Sequence, residues 1–384
     1  MMKTIKVKET IIHGDFKTTG TSSGRLSSVN PNLMNLPTDA GAAPDNCENC
    51  KTDFKEYVTV DADRTRSRWK CRKCKHVTRT YLYDIRKMYK PHVGYKFAIA
   101  DWDAMEVSLM AAVSGCPDLA NLVHIRDDES RIVSHCCCLP PATGSKKTCS
   151  GCQNEAKFSP DPAGDLHTVT GAKINAITPQ ELFLLMHSDI ESTRARGKKM
   201  RKGAKPVNFG IMYGIGSSGL ATQLRDAGIP TNKAEAQGMI DAWYELFPGV
   251  KTHVDDSTRE LNANKYLKNI YGRIRHVPYT DDVLSALNFL IQGAGAQIAK
   301  KVCVDAAYSF IDEPDIRLVN LIHDELVIEY KPGLEMDVAQ FLFDKMNIAV
   351  PGKQTIHLTA EPEVDIASLS KSEKGKVLNL PSKE

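Results

Sequence analysis

Two apolar runs in this chain end in acids. Tyr95-Lys96-Phe97-Ala98-Ile99-Ala100 leads into Asp101-Trp102-Asp103-Ala104-Met105-Glu106. More than two hundred residues later, Leu318-Val319-Asn320-Leu321-Ile322 leads into His323-Asp324-Glu325, and Leu326-Val327-Ile328 resumes the apolar pattern. The second arrangement predicts a β-hairpin with His-Asp-Glu at its turn. After His167 the pattern turns helical. Thr178-Pro179-Gln180-Glu181 has a capping Thr, a Pro at the first position and an acid in the first turn, which together predict a helix start. Lys233 to Trp243 has apolar residues at helical spacing, Pro248-Gly249 punctuates it, and Val250 to Asn262 follows as another helix. Gly272 to Pro278 reads as a turn into an exposed basic strand or loop. Asp281 to Phe310 reads as one long helix with Asn288 and Gln292 on one face. Residues from Ser368 onward are rich in Lys and Ser and are expected to form a frayed or mobile tail.

Chemistry changes this picture at three places. Two strand-end carboxylates from distant segments, Asp101 and Asp324, can bring together two hard cations. A pair of Mg²⁺ ions roughly 4 Å apart is a common device for in-line phosphoryl transfer. Either acid alone would pass for a solvated strand-end residue. A third segment, Arg201 to Gly214, shifts the balance. Its Arg201, Lys205, Phe209 and Tyr213 are spaced by four, so a helix would carry them on one slowly drifting face. Cations suit a triphosphate and rings suit a base.

The cysteines point to a different metal. Cys47-Glu48-Asn49-Cys50 and Cys71-Arg72-Lys73-Cys74 are two CxxC pairs separated by twenty residues, with short strands expected at Tyr57–Val60 and Arg68–Lys70. This is the pattern of a zinc ribbon, in which each tight turn supplies two soft ligands to tetrahedral Zn²⁺. A second cluster joins Cys149-Ser150-Gly151-Cys152 to the run Cys136-Cys137-Cys138. Cys136 and Cys138 are the preferred upstream pair, with Cys137 or His135 as substitutes. Cys116 and Cys303 read as ordinary buried thiols. Eleven cysteines at such spacings argue for a reducing compartment and metal sites rather than disulfides. The formal net charge is only +3, but Arg194 to Lys205 holds seven Lys or Arg in twelve positions, enough for a local phosphate-binding groove. The sequence has no run of about eighteen apolar residues, so no membrane span is expected.

On these motifs the chain resembles the family A DNA polymerases. The three core motifs fall in order at Asp101 to Leu109, Arg201 to Gly214 and Ile322 to Val327. Flanking signatures match at Gly24-Arg25-Leu26-Ser27-Ser28 with Pro31 to Pro37, His167-Thr168-Val169-Thr170, Gly272-Arg273, and Asn288 to Gln292-Gly293. The resemblance implies an α+β fold: a polymerase palm of antiparallel sheet plus helices, with helical fingers and two small zinc-binding inserts. The palm is expected over 1–40, 86–121 and 276–384, with the last stretch ending in the tail. The inserts are expected over 41–85 and 122–166, and the fingers over 167–275. The inserts are too small to build large cores, which a structural metal offsets. Bracing loops and contacting DNA are equally open roles for them.

The implied reaction is attack of a primer 3′-hydroxyl on the α-phosphate of a deoxynucleotide. Asp101 and Asp324 are expected to hold two Mg²⁺ ions, aided by the Trp102 carbonyl, with Glu325 supporting rather than ligating. Arg201, Lys205 and His167 would meet the triphosphate. Phe209 would stack on the nucleotide, and Tyr213 would occupy the templating position until the fingers close. Arg25, Asn288, Gln292 and His323 would contact primer–template DNA. Glu106 would crowd the sugar's 2′ position and select deoxynucleotides, and Phe209 in place of Tyr implies poor use of dideoxynucleotides. Three departures from the family pattern stand out. Pro206 lies inside the second motif, kinking the helix or starting it. Leu284 replaces an expected Arg, and Ile274 interrupts a basic run. Only about twenty residues precede the Arg25 segment, so the chain is expected to be one part of a split polymerase or a fragment, with a separate chain supplying thumb and 3′–5′ exonuclease. A compact replicase of this kind suggests a phage, with location in the cytoplasm, that of the host cell if phage-encoded. The competing readings are a non-catalytic zinc-ribbon DNA-binding subunit on a polymerase fold and an RNA polymerase of the same superfamily.

Overall fold

The computed structural model describes residues 11–18, 20–36, 47–52, 55–60, 66–81, 84–127, 132–135, 157–160, 162–226, 229–278, 283–370 and 373–380. The chain opens with the strand pair β1 (Asp15–Lys17) and β2 (Ser27–Val29). Then comes a three-stranded antiparallel sheet of β3 (Lys55–Val60), β4 (Arg66–Cys71) and β5 (Val77–Tyr81). The first two are the strands expected between the CxxC pairs, and β5 adds a third.

Strand β6 (Lys96–Asp101) runs into α1 (Met105–Ser114) and α2 (Pro117–Asp127). Ala104 takes a left-handed conformation at the start of α1, with φ 47°. That sharp reversal leaves Asp101 at the strand end and Glu106 in the first helical turn. Strands β7 (Ile132–His135) and β8 (Lys157–Pro160) pair with each other. Cys136, Cys137, Cys138, Cys149 and Cys152 lie outside the described residues.

A helical block follows: α3 (Leu166–Ile174), α4 (Pro179–Met186), α5 (Glu191–Met212), α6 (Ser217–Asp226), α7 (Lys233–Leu246) and α8 (Pro248–Asn264). The predicted start of α4 is a full capping box, Thr178 and Glu181 each bonding the other's backbone N–H. Pro206 neither starts nor ends α5, whose 22 residues include it in the interior. The helices pack closely where side chains are missing. A Cβ on Gly197 of α5 would lie 2.7 Å from Met186 N and 2.8 Å from Leu185 C of α4. Backbone atoms cannot give way as a side chain can. Gly197→Ala should therefore lower stability by about 1–2 kcal/mol despite Ala's better helix propensity. A thermal melt with an unchanged or higher midpoint would refute this.

Strands β9 (Tyr266–Lys268) and β10 (Ile274–His276) form a hairpin, the latter being the expected basic strand. Helix α9 (Val283–Ser309) is the predicted long helix. Then come β11 (Ile316–Ile322), β12 (Glu325–Tyr330), α10 (Glu335–Met346), β13 (Ile348–Val350), β14 (Ile356–Leu358), β15 (Glu363–Ile366) and β16 (Lys376–Val377). The central sheet is antiparallel with order β11-β12-β6-β15-β16. Its buried residues Ala98, Ala100, Leu326, Ile328 and Tyr330 join α1, α9 and α10 in the main core. Among the described residues, the expected frayed or mobile tail is docked in part against the body. Ser368, Leu369 and Ser370 are buried, the Leu369 N–H donates to Tyr89 O at 3.0 Å, and β16 adds a fifth strand. The polar composition hid the apolar anchor Leu369. No helix among the described residues is long and apolar enough to cross a membrane.

Candidate active site

Sheet register brings the two acidic segments together. Asp101 pairs with Glu325 across β6 and β12, while Ile322 pairs with Glu325 across β11 and β12. Those pairings leave His323-Asp324 as a two-residue turn, with His323 in a left-handed conformation at φ 61°. Asp324 thus stands one residue beyond the pair containing Asp101, at the same end of adjacent strands. Burial pushes the Asp324 carboxyl above its ordinary range; Glu106 adds to this, and Arg25 and His323 oppose it. A cation would relieve that cost. Asp101, Asp103 and Glu325 line a cleft of about 420 Å³ shared with Glu361, Glu363, Glu373 and Lys374. A donor set of carboxylate oxygens is the kind that hard divalent cations take.

Glu106 is the hub beside these acids. Its Oε1 accepts from Arg25 Nη2 at 2.7 Å and from Gln292 Nε2 at 3.4 Å, and its Oε2 accepts from the Tyr213 hydroxyl. Four segments meet at one carboxylate as a result. Gly293 permits this approach: a Cβ there would lie 3.2 Å from Ser23 O, two residues before Arg25. Burial and the Glu106 charge hold the Tyr213 hydroxyl protonated, well above its ordinary range. One turn along α9 from Gln292, Asn288 has a buried Oδ1 without a hydrogen-bond partner among the described residues. Such an acceptor costs free energy unless something supplies a donor.

Helix α5 carries Arg201, Lys205 and Phe209, with Tyr213 as its C-cap residue, and these are not equally available. Ala204, Val207, Asn208 and Ile211 face the core, while Lys205 and Phe209 are exposed. Arg201 is paired with Asp165, its Nε and Nη2 donating at 2.6 and 3.2 Å. Burial raises the Asp165 carboxyl, but hydrogen bonds from Arg201 and Thr168 outweigh it and hold the pKa below the ordinary range. Asp165 also caps α3 by accepting from His167 N. The His167 ring lies 5.9 Å from the Phe209 ring, centroid to centroid. Burial pushes the imidazole down to about 4, against the pull of Asp165 and with help from Arg201 and Lys205.

The Trp102 side chain is structural: the indole is buried and donates to Met346 O at 2.8 Å. His323 is exposed at the hairpin tip. Leu284 and Ile274, where basic residues were expected, are both about half exposed, so neither was replaced for the sake of the core.

The four ribbon cysteines converge, with Sγ atoms all within 4.8 Å of one another. The two CxxC turns repeat one geometry. In each, the residue four past the first cysteine (Lys51 or Lys75) is left-handed and donates its N–H back to that cysteine's carbonyl at 2.9 Å. The backbone N–H of Cys74 draws the Cys71 thiol down to about 6. Four converging thiols fit a tetrahedral soft-ligand site. Cys116 is fully buried, and Cys303 is half-buried with its thiol pushed up to about 11 by burial.

Two site residues escaped the sequence reading. Asp165 had a detectable signal, an acid directly before a helical Leu-His-Thr run, which is an N-cap pattern. Asn208 also had one: it is a polar residue on the otherwise apolar face of α5.

The family model for DNA polymerase family A matches residues 1–368. DNA polymerase I of Caldicellulosiruptor bescii is 25% identical over 342 residues, covering 86% of this chain and 29% of that protein. DNA polymerase I of Bacillus subtilis is 25% identical over 368 residues, covering 93% of this chain and 30% of its own length. The chain therefore spans about a third of the curated relatives it matches. Among solved structures, the POL domain of Pol1 from M. smegmatis, in complex with DNA primer-template and dNTP, superposes with a TM-score of 0.61 at 20% identity. It covers 94% of this chain and 48% of the other. With its motifs gathered on a mixed helix-and-sheet polymerase fold, this chain belongs to DNA polymerase family A.

Proposed function

We propose that this chain is a template-directed DNA polymerase that adds deoxynucleotides to a primer 3′-hydroxyl. The convergence of Asp101 and Asp324 at one end of neighbouring strands carries this reading. Family A membership supports it, as does the DNA primer-template and dNTP present with the structural relative. The central sheet serves as palm and α3 to α8 as fingers. Asp101 and Asp324 would hold two Mg²⁺ ions, which would supply activation of the primer hydroxyl and neutralisation of charge on the leaving pyrophosphate. Lys205, exposed on α5, neutralises the triphosphate and is placed to protonate the leaving group. Arg201 shares that task with its remaining donors, because Nε and Nη2 already hold Asp165. His167 donates to the same phosphates, Phe209 stacks on the incoming nucleotide, and Tyr213 leaves Glu106 when the fingers close. Arg25, Asn288, Gln292 and His323 line the path of primer and template.

Primer extension with single deoxynucleotides tests this. Only the nucleotide complementary to the template base should be added. Template-independent addition, or no addition under any supplementation, rejects the proposal.

Zn²⁺ is the proposed occupant of Cys47, Cys50, Cys71 and Cys74. Cys71→Ser should remove one equivalent of zinc per chain, read by metal analysis of the purified protein. It should also expose residues 47–81 to protease while the rest of the chain stays resistant, since structural zinc sites contribute folding energy directly. Unchanged zinc content would refute the assignment. Cys136, Cys138, Cys149 and Cys152 are proposed to hold a second Zn²⁺, which the same analysis counts.

A further inference from the structure

Asn208 is fully buried, yet its amide is used on both sides. Trp243 Nε1 lies 2.7 Å from Asn208 Oδ1, Thr170 Oγ1 donates to the same oxygen at 2.6 Å, and Asn208 Nδ2 lies 2.8 Å from His167 Nδ1. An indole N–H is only ever a donor, so the amide atom facing it must be the oxygen. The other orientation would set two donors against each other in a buried site. The NH₂ group must then face His167, and Nδ1 must accept. A neutral imidazole that accepts at Nδ1 carries its proton on Nε2.

We infer that Trp243 and Asn208 are positioning residues that lock His167 as a neutral imidazole protonated on Nε2, so that it meets the triphosphate as an uncharged N–H donor. The inference builds on the proposed nucleotide-binding role of His167. Charge around the ring fits it. Asp165 is on one side and favours the imidazolium; Arg201 and Lys205 oppose it, and burial sides with them. His167 therefore contributes direction, and Lys205 contributes charge. Nothing else facing the ring competes for Nδ1 among the described residues.

The test uses the full chain with ¹⁵N-labelled imidazoles. The chain has 11 histidines, and His167→Gln identifies the resonances that belong to position 167. Long-range proton–nitrogen spectra at pH 7 should show the Nε2–H tautomer. Asn208→Asp keeps the shape and still accepts from Trp243, but it turns a donor toward Nδ1 into an acceptor. The ring should switch to Nδ1–H or to the imidazolium. In the Nδ1–H form, which lacks the Nε2 donor, affinity for Mg·dATP followed by fluorescence titration should fall about tenfold or more, as for loss of a hydrogen bond to a charged group; the imidazolium keeps Nε2–H and should not show that loss. Trp243→Phe, a milder change, leaves only the rotatable Thr170 hydroxyl on that side, so both tautomers should appear. An Nδ1–H or charged His167 in the wild type overturns the inference. So does an Asn208→Asp variant that switches tautomer while binding Mg·dATP normally, provided His167→Ala binds it poorly. If His167→Ala also binds Mg·dATP normally, the phosphate role of His167 fails while the tautomer assignment holds.

Discussion

Asp324→Ala should reduce primer extension by at least about 10³-fold in kcat, since a lost catalytic metal ligand forfeits several kcal/mol of transition-state stabilisation. The fold should not suffer. Burial raises the Asp324 carboxyl above its ordinary pKa, so its ionised form opposes folding at neutral pH, and removing it relieves that cost. The sign is specific: the destabilisation is present above the raised folded pKa and vanishes as pH falls below the ordinary carboxylate range. The variant should therefore melt no lower than wild type at pH 7 to 8. Mg²⁺ should raise the melting point of the wild type and raise that of the variant less. Extension within tenfold of wild type would remove Asp324 from the chemistry. A collapsed melting point would make it a structural residue instead.

Glu106→Ala should lower discrimination against ribonucleotides by about 10²-fold, the scale set by steric exclusion of one small group. The hub geometry separates two ways in which this could arise. Glu106 holds both Arg25 and the Tyr213 hydroxyl, so removing it frees two side chains as well as the space. Glu106→Gln keeps the bulk but loses the ion pair with Arg25. If bulk near the sugar decides, Gln should retain most of the selectivity that Ala loses. If the Arg25 pair decides, the two variants should behave alike. Competition between a ribonucleotide and its deoxy counterpart, measured as the ratio of kcat/KM values, distinguishes them. Unaltered discrimination in Glu106→Ala would reject the selector role.

Much of the fold was legible because it depends on short-range pattern. The hairpin at Asp324 followed from apolar runs on either side of a polar turn, and α4 followed from its capping box. The ribbon followed from cysteine spacing, and its Sγ atoms do converge. Errors arose where one residue type outweighed its neighbours. Pro206 signalled a kink or a start, but it is not a start: a 22-residue helix packed against α3 and α4 begins well before it at Glu191. Lys and Ser signalled a loose tail, but Leu369 and the β15–β16 pairing dock it.

The sequence by itself determined which chemistry the chain carries: acids at strand ends, cations and rings at four-residue steps, and paired CxxC turns. Those are local periodicities, and local sterics decide them. Tertiary structure alone decided which groups share a partner. Arg25, Tyr213 and Gln292 meet on Glu106, Arg201 is held by Asp165, and Trp243 orients Asn208 toward His167. Each of these contacts joins residues 35 to 186 positions apart. Their geometry comes from how helices and sheet pack, and no local pattern along the chain encodes that.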